Sequence, residues 1–158
     1  MVDTWYNCRT LTNLEIANWN TTNWHVTNLS ATWYGNFLMP NFSFLSGWNT
    51  SNWAVTTLAN TWYNCWSATS IEISNWDTHN WAVTAMNGTW YCCYSLVRLD
   101  LSRWNTANWK VTTFNGTWYC CSSLLTLKIG TWNVSQFAVT TFVNCFNSCC
   151  RLQEAEIF

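Results

Sequence analysis

Fourteen of the 15 tryptophans fall into three phases of one 28-residue period. Trp5, Trp33, Trp62, Trp90 and Trp118, each between Thr and Tyr, form the first series, and Phe146 continues it. Trp19, Trp48, Trp76, Trp104 and Trp132 form the second, which opens W-N/D-T-x-N in four of five copies. Trp24, Trp53, Trp81 and Trp109 form the third, closed by Phe137; Trp66 alone stands outside. A fixed period of this size marks a repeat architecture, in which each unit buries its apolar side only against its neighbours. The first series steps by 28, 29, 28, 28 and 28, and the extra residue falls near Leu45 to Gly47. Residues 1–158 therefore read as a single solenoid domain of about five and a half turns.

Local periods give a coarse structure of one turn. Leu96, Leu99 and Leu101 lie six, nine and eleven residues after Trp90; Leu11, Leu14 and Ile16 match them, as do Leu124, Leu127 and Ile129. The last two of each set are two apart and so share one strand face. The same strand in successive turns predicts one parallel sheet with strands about 4.8 Å apart. Phe114, Trp118 and Cys121 fall at i, i+4 and i+7, as do Met86, Trp90, Cys93 and Leu58, Trp62, Cys65. That spacing predicts a short helix or coil on the opposite side, although Gly88 and Gly116 weaken a helix. The ladder Trp5, Trp33, Trp62, Trp90, Trp118 and Phe146 is expected in the core.

Composition narrows the function. Charged residues make up 8% of the chain, against roughly 25% in ordinary soluble domains. Six basic and seven acidic side chains leave a net charge of -1. Nucleic-acid binding needs clustered cations to neutralise phosphates, so it is not expected. No apolar run approaches the roughly 18 residues of a membrane span, so no insertion is expected. Residues 1–7 hold no basic-then-apolar stretch, so no signal peptide is visible.

The unit W-N/D-T-x-N…V-T…W-Y-x-C-x-S-L-x-x-L-x-L/I-S carries a family likeness. It is clearest from Cys93 to Thr106 (C-Y-S-L-V-R-L-D-L-S-R-W-N-T) and from Ile71 to Thr78 (I-E-I-S-N-W-D-T). This pattern resembles the BspA-like leucine-rich repeats of bacterial surface proteins and some phages. The period here is longer than that family's, because Trp-x precedes Val-Thr, and Trp stands where the family often has Phe. The resemblance implies a leucine-rich-repeat-like, mainly β solenoid. It also implies a non-catalytic binding or adhesion module outside the cell, on a cell surface or virion.

The nine cysteines admit three readings. Cys8, Cys65, Cys93, Cys121 and Cys149 share the place three after the ladder aromatic, where Asn36 stands in the second turn. A buried thiol ladder bonding loop backbone is the expected role. Disulfides between turns are the second reading, with Cys92–Cys120 the pair to watch. Metal binding is the third and is not expected: C-x-x-C spacing is missing, and neither His25 nor His79 shares the phase.

Glu15, Ser43, Glu72, Asp100, Lys128 and Glu156 share one outward strand position. Glu72 and Asp100 at about 5 Å would suit a retaining glycosidase. An open sheet offers no pocket to raise one of their pKa values, so no enzyme and no cofactor are expected. Glu72, Arg98, Asp100 and Lys128 remain candidate ligand-binding residues for a glycan or a host surface protein. Thr21, Thr50, Thr78 and Thr106 form one row, and Thr27, Thr56, Thr84, Thr112 and Thr140 another. Such rows resemble those of ice-binding solenoids, but Asn and Ser neighbours favour stacked turn hydrogen bonds. The chain is in phase by Thr4-Trp5-Tyr6 and leaves part-way through a turn, at Leu152 to Phe158. Uncapped end turns predict head-to-tail self-association.

Overall fold

The structure, a computed structural model, describes residues 1–156. It is mainly β and coil, and its repeats stack in parallel. Five short strands are present: β1 (Asn41–Phe42), β2 (Ser70–Ile71), β3 (Arg98–Asp100), β4 (Thr126–Lys128) and β5 (Glu154–Glu156). They form two sheets, β1–β2 and β3–β4–β5, all parallel. The continuous sheet expected from the Leu pattern is thus broken into two, with no ladder joining β2 to β3. Register follows the period: Leu99 faces Leu127, which faces Ala155, and Asp100 faces Lys128, which faces Glu156. Single parallel bridges link Thr57, Ala85, Thr113 and Thr141 elsewhere in the repeat.

Of the two expectations for the Thr-Trp-Tyr side, short helix or coil, the structure shows coil made of tight turns. Each of these segments is flanked by two left-handed residues, such as Asn60 (φ 56°) and Asn64 (φ 60°) around Thr61-Trp62-Tyr63. The equivalents are Gly88 (φ 61°) with Cys92 (φ 54°), and Gly116 (φ 59°) with Cys120 (φ 55°). A left-handed residue every fourth position breaks an α-helix. The chain makes consecutive tight turns instead: Tyr63 N–H donates to Asn60 O at 3.2 Å and Cys65 N–H to Trp62 O at 3.3 Å. Alternate N–H groups reach the next repeat. Trp62 N–H donates to Thr89 O at 2.8 Å, Trp90 N–H to Thr117 O at 2.9 Å and Asn64 N–H to Tyr91 O at 2.7 Å. The i, i+4, i+7 residues still point inward, which is why their spacing imitates a helix.

One 3₁₀ helix, Ser43–Gly47, is the sole helix among the described residues. It coincides with the single extra residue of the second repeat. The insertion is taken up as one tighter turn on the strand side, so the Trp48 motif re-enters phase.

Aromatic rings fill the interior. In the first series, ring centroids lie 5.6, 5.3, 5.7, 5.6 and 5.0 Å apart from Trp5 to Phe146, with planes within 9° of parallel. Trp33, Trp62, Trp90 and Trp118 are buried, while Trp5 and Phe146, at the two ends, are half-buried. The other two series interleave at steep angles: Trp53–Trp76 lie 5.5 Å apart at 60°, and Trp76–Trp81 5.9 Å apart at 60°. Edge-to-face contacts set the positive ring edge on the negative face, and each such pair adds roughly 0.5–1.5 kcal/mol beyond its burial.

Candidate functional site

Each residue of the W-N/D-T-x-N motif has an assignable bond. The Trp76 indole N–H donates to Leu45 O at 3.0 Å, Trp104 to Ile73 O at 2.9 Å and Trp132 to Leu101 O at 3.1 Å. Asp77 and Asn105 accept the N–H of His79 and Ala107, each at 3.1 Å, closing the turn with a side chain. Thr78 is 2% exposed. Its hydroxyl donates to Asn105 O at 3.1 Å and accepts Asn105 N–H at 2.7 Å, so it joins two repeats where their backbones do not meet. Asn80 then donates to Ser51 O at 3.0 Å, and Asn108 to His79 O at 3.1 Å. The second row works similarly: the Thr84 hydroxyl donates to Thr56 O at 3.2 Å, and Thr112 to Thr84 O at 3.1 Å. Both Thr rows thus bond stacked turns.

The thiol ladder makes contacts of the same kind. Cys65, Cys93 and Cys121 donate Sγ–H to Trp33 O, Trp62 O and Trp90 O, each at 3.1 Å, and Cys149 to Trp118 O at 2.9 Å. Asn36 fills the slot in the second repeat and spans it with two bonds, to Trp5 O at 2.9 Å and Trp33 O at 2.8 Å. All nine cysteines are free thiols, including the neighbouring Cys92 and Cys120. Among the described residues no cluster of three or more His, Cys, Asp or Glu side chains is placed to hold a metal ion.

Burial pushes the thiols of Cys65, Cys93 and Cys121 far up, and that of Cys145 to about 12. Because the thiolate is the nucleophile, these four should resist alkylation at pH 8, while exposed Cys150 is modified first. A mass-spectrometric labelling time course checks this. Cys93 reacting as fast as Cys150 would contradict the buried ladder, and eight cysteines found oxidised would replace it with a disulfide framework.

The four candidate ligand-binding residues divide. Arg98 and Asp100 stand exposed on β3, and Lys128 is half-exposed on β4 in register with Asp100. Arg98 reaches Thr126 Oγ1 at 3.4 Å, and that hydroxyl reaches Glu154 Oε2 at 3.4 Å. Burial pushes the Asp100 carboxyl up, but the Ser102 hydroxyl and N–H and the charges of Lys128 and Arg103 outweigh it and hold the carboxyl below its usual value. An acid catalyst needs the opposite shift. Glu72 is exposed one residue beyond β2, outside the β3–β4–β5 ladder that holds the other three.

Three features escaped the sequence reading. Tyr6, Tyr34, Tyr63, Tyr91 and Tyr119 stack in an outer column at 4.8, 4.7, 4.3 and 4.5 Å. Their period was visible as the residue after each ladder Trp. Trp66, outside every series, stacks on Phe37 at 4.2 Å and leans on Tyr94 at 6.0 Å, while Arg9 caps Phe37 at 5.4 Å. Third, a cleft of about 540 Å³ opens between residues 12–18 and 39–44. Its signal was Pro40, the only proline of the chain.

No curated protein and no solved structure matches this chain. Among the described residues no helix is long and apolar enough to cross a membrane. The family described as "Mycoplasma protein of unknown function, DUF285" matches twice, over the overlapping residues 1–108 and 27–157. With nearly the whole chain covered, this protein belongs to that family.

Proposed function

We propose that this chain is a leucine-rich-repeat-like solenoid acting as a non-catalytic surface or structural module, exposed outside the cell or on a virion, with an adhesive role built on end-to-end self-association. The observation that carries this reading is the complementarity of its first and last repeats. All five Thr-Trp-Tyr segments donate N–H forward to the next repeat, as Trp90 does to Thr117 O. Among the described residues, the carbonyls of Thr4 and Tyr6 receive no such bond, and the N–H groups of Phe146 and Ser148 give none. Apolar side chains surround both sets: Tyr6 and Trp19 are 46% and 45% exposed, Phe142 and Val143 52% and 62%. A second copy set in register would lay its Trp5 segment over Phe146 and extend the ring column. Its Trp24 segment would stand a layer clear of Phe137, so the contact is one-sided. Such head-to-tail contacts do not close and run on into filaments.

Light scattering across a concentration series tests this, with the expected mass rising above the 18.4 kDa monomer. Val143→Asp should weaken association by roughly tenfold or more, because a desolvated charge would face the Trp5 segment. A monodisperse monomer at high concentration would overturn the proposal. A second reading, a glycan- or protein-binding module, is favoured by the charged row of Arg98, Asp100 and Lys128 on the open face of β3 and β4. A glycan array separates it from the first.

A further inference from the structure

One backbone hydrogen bond just before the strands repeats through the stack and is missing at a single step. Thr69 N–H donates to Pro40 O at 2.8 Å, Val97 N–H to Thr69 O at 3.4 Å, Leu125 N–H to Val97 O at 2.8 Å and Gln153 N–H to Leu125 O at 3.1 Å. The next step down would run from residue 40 to Thr12, and proline has no N–H to give. Among the described residues no backbone hydrogen bond joins residues 12–17 to 40–45. The cleft of about 540 Å³ lies along this break. Asn13, Glu15, Asn18, Asn41 and Ser43 line it, with Leu14, Met39 and Phe44 supplying apolar surface.

We infer that this cleft binds a neutral saccharide, a site separate from both the end faces and the charged row. Three observations select the ligand. Glu15 is the only ionisable side chain in the lining, so a phosphate, a sialic acid or a nucleic acid meets a carboxylate and no cation. The walls offer amides, the hydroxyls of Thr12 and Ser43, and unpaired peptide groups, both donors and acceptors, at scattered angles. Sugar hydroxyls donate and accept in the same way from a compact ring, and their C–H faces suit the Leu14, Met39 and Phe44 surface. Asn13 Nδ2 already bonds Glu15 Oε1 at 3.3 Å, and Asn41 Oδ1 accepts Ser43 Oγ at 2.7 Å, so four of these side chains are held before a ligand arrives.

An extended peptide fits less well. Inserting a strand requires flanking strands about 9.6 Å apart, two sheet spacings. The same two repeats are clamped one layer apart by Trp5–Trp33 at 5.6 Å and Tyr6–Tyr34 at 4.8 Å, and the Trp48 indole reaches Ile16 O at 3.4 Å beside the cleft.

The test is titration of the whole chain with neutral di- and trisaccharides of glucose, galactose and N-acetylglucosamine, followed by saturation-transfer NMR and calorimetry. At least one should bind. Glu15→Ala and Asn41→Ala should each weaken it by roughly fivefold or more, and Lys110→Ala, exposed and outside the cleft, should leave it unchanged. Pro40→Thr returns a donor for Thr12 O, narrows the cleft and should abolish binding while the melting temperature holds or rises. No binding across the series overturns the inference. So does binding that survives both alanine variants, or tighter binding of a sialylated or phosphorylated sugar than of its neutral parent. Light scattering on the same variants should show association unchanged, so a failure here is distinct from a failure of the self-association proposal.

Discussion

Trp90→Ala should lower the melting temperature by roughly 10 °C or more, and Lys110→Ala by about 1 °C or less. Trp90 is fully buried, with Trp62 at 5.7 Å on one face and Trp118 at 5.6 Å on the other. Removing a buried aromatic costs about 3–5 kcal/mol, because the cavity collapses only in part. Collapse is harder than usual here: the Trp90 backbone bonds Thr117 O, and its carbonyl takes the Cys121 thiol, so the repeat cannot slide inward. Each repeat rests only on its two neighbours, and this loss falls on both interfaces in mid-chain. Lys110 is exposed, and such a truncation costs roughly 0.5 kcal/mol or less. Trp90→Phe should lose less than alanine. It keeps a ring in the column, as Phe146 does, and removes an indole N–H that has no acceptor. Equal melting shifts for Trp90→Ala and Lys110→Ala would contradict the inward placement of the column.

The period was legible because a stacked column demands the same bulk at the same phase in every repeat, and tryptophan is rare enough for its phase to stand out. The place of the insertion was legible for the same reason, and the 3₁₀ helix lies there. The Asn36-for-Cys exchange also pointed correctly to a donor aimed at backbone, since an amide and a thiol share little else. The strand pattern was read too generously. Leu96, Leu99 and Leu101 fix a face, but they do not fix ladder pairing, and the sheet parts between β2 and β3. The cleft was illegible for a related reason. It arises from bonds that do not form between two repeats, and hydrophobic spacing carries no record of a missing N–H. Only Pro40, read as the loss of a donor at a ladder position, signalled it. The choice between helix and coil at Thr-Trp-Tyr is the most instructive. Inward residues at i, i+4 and i+7 are equally compatible with a chain that turns at left-handed residues between them. Asn, Gly and Cys in alternation at two fixed positions were the better guide, because Asn and Gly are the residues that tolerate positive φ.

Gly88→Ala distinguishes helix from turn by measurement, because the two backbones give opposite signs. In a helix interior, replacing glycine with alanine stabilises by roughly 0.5–1 kcal/mol, through the lower entropy of the unfolded chain. In the turn observed, Gly88 has φ +61°, a conformation that costs an L-residue about 1–2 kcal/mol. A Cβ there would also stand 2.3 Å from Asn60 Oδ1 and 3.1 Å from Tyr63 Cδ2, so the Asn60 side chain must rotate away and the tyrosine ring must yield. Alanine does occupy this position once, as Ala31 at φ 50° in the second repeat, which shows that the turn can form with a Cβ. The expected result is therefore a folded protein destabilised by about 2 kcal/mol, with an unchanged far-ultraviolet spectrum. Gly88→Asn should recover part of the loss, because asparagine enters the left-handed region more readily and already does so at Asn60 and Asn144. A melting temperature raised by Gly88→Ala would restore the helix and remove the turn geometry on which the Trp-to-Thr bonds between repeats depend.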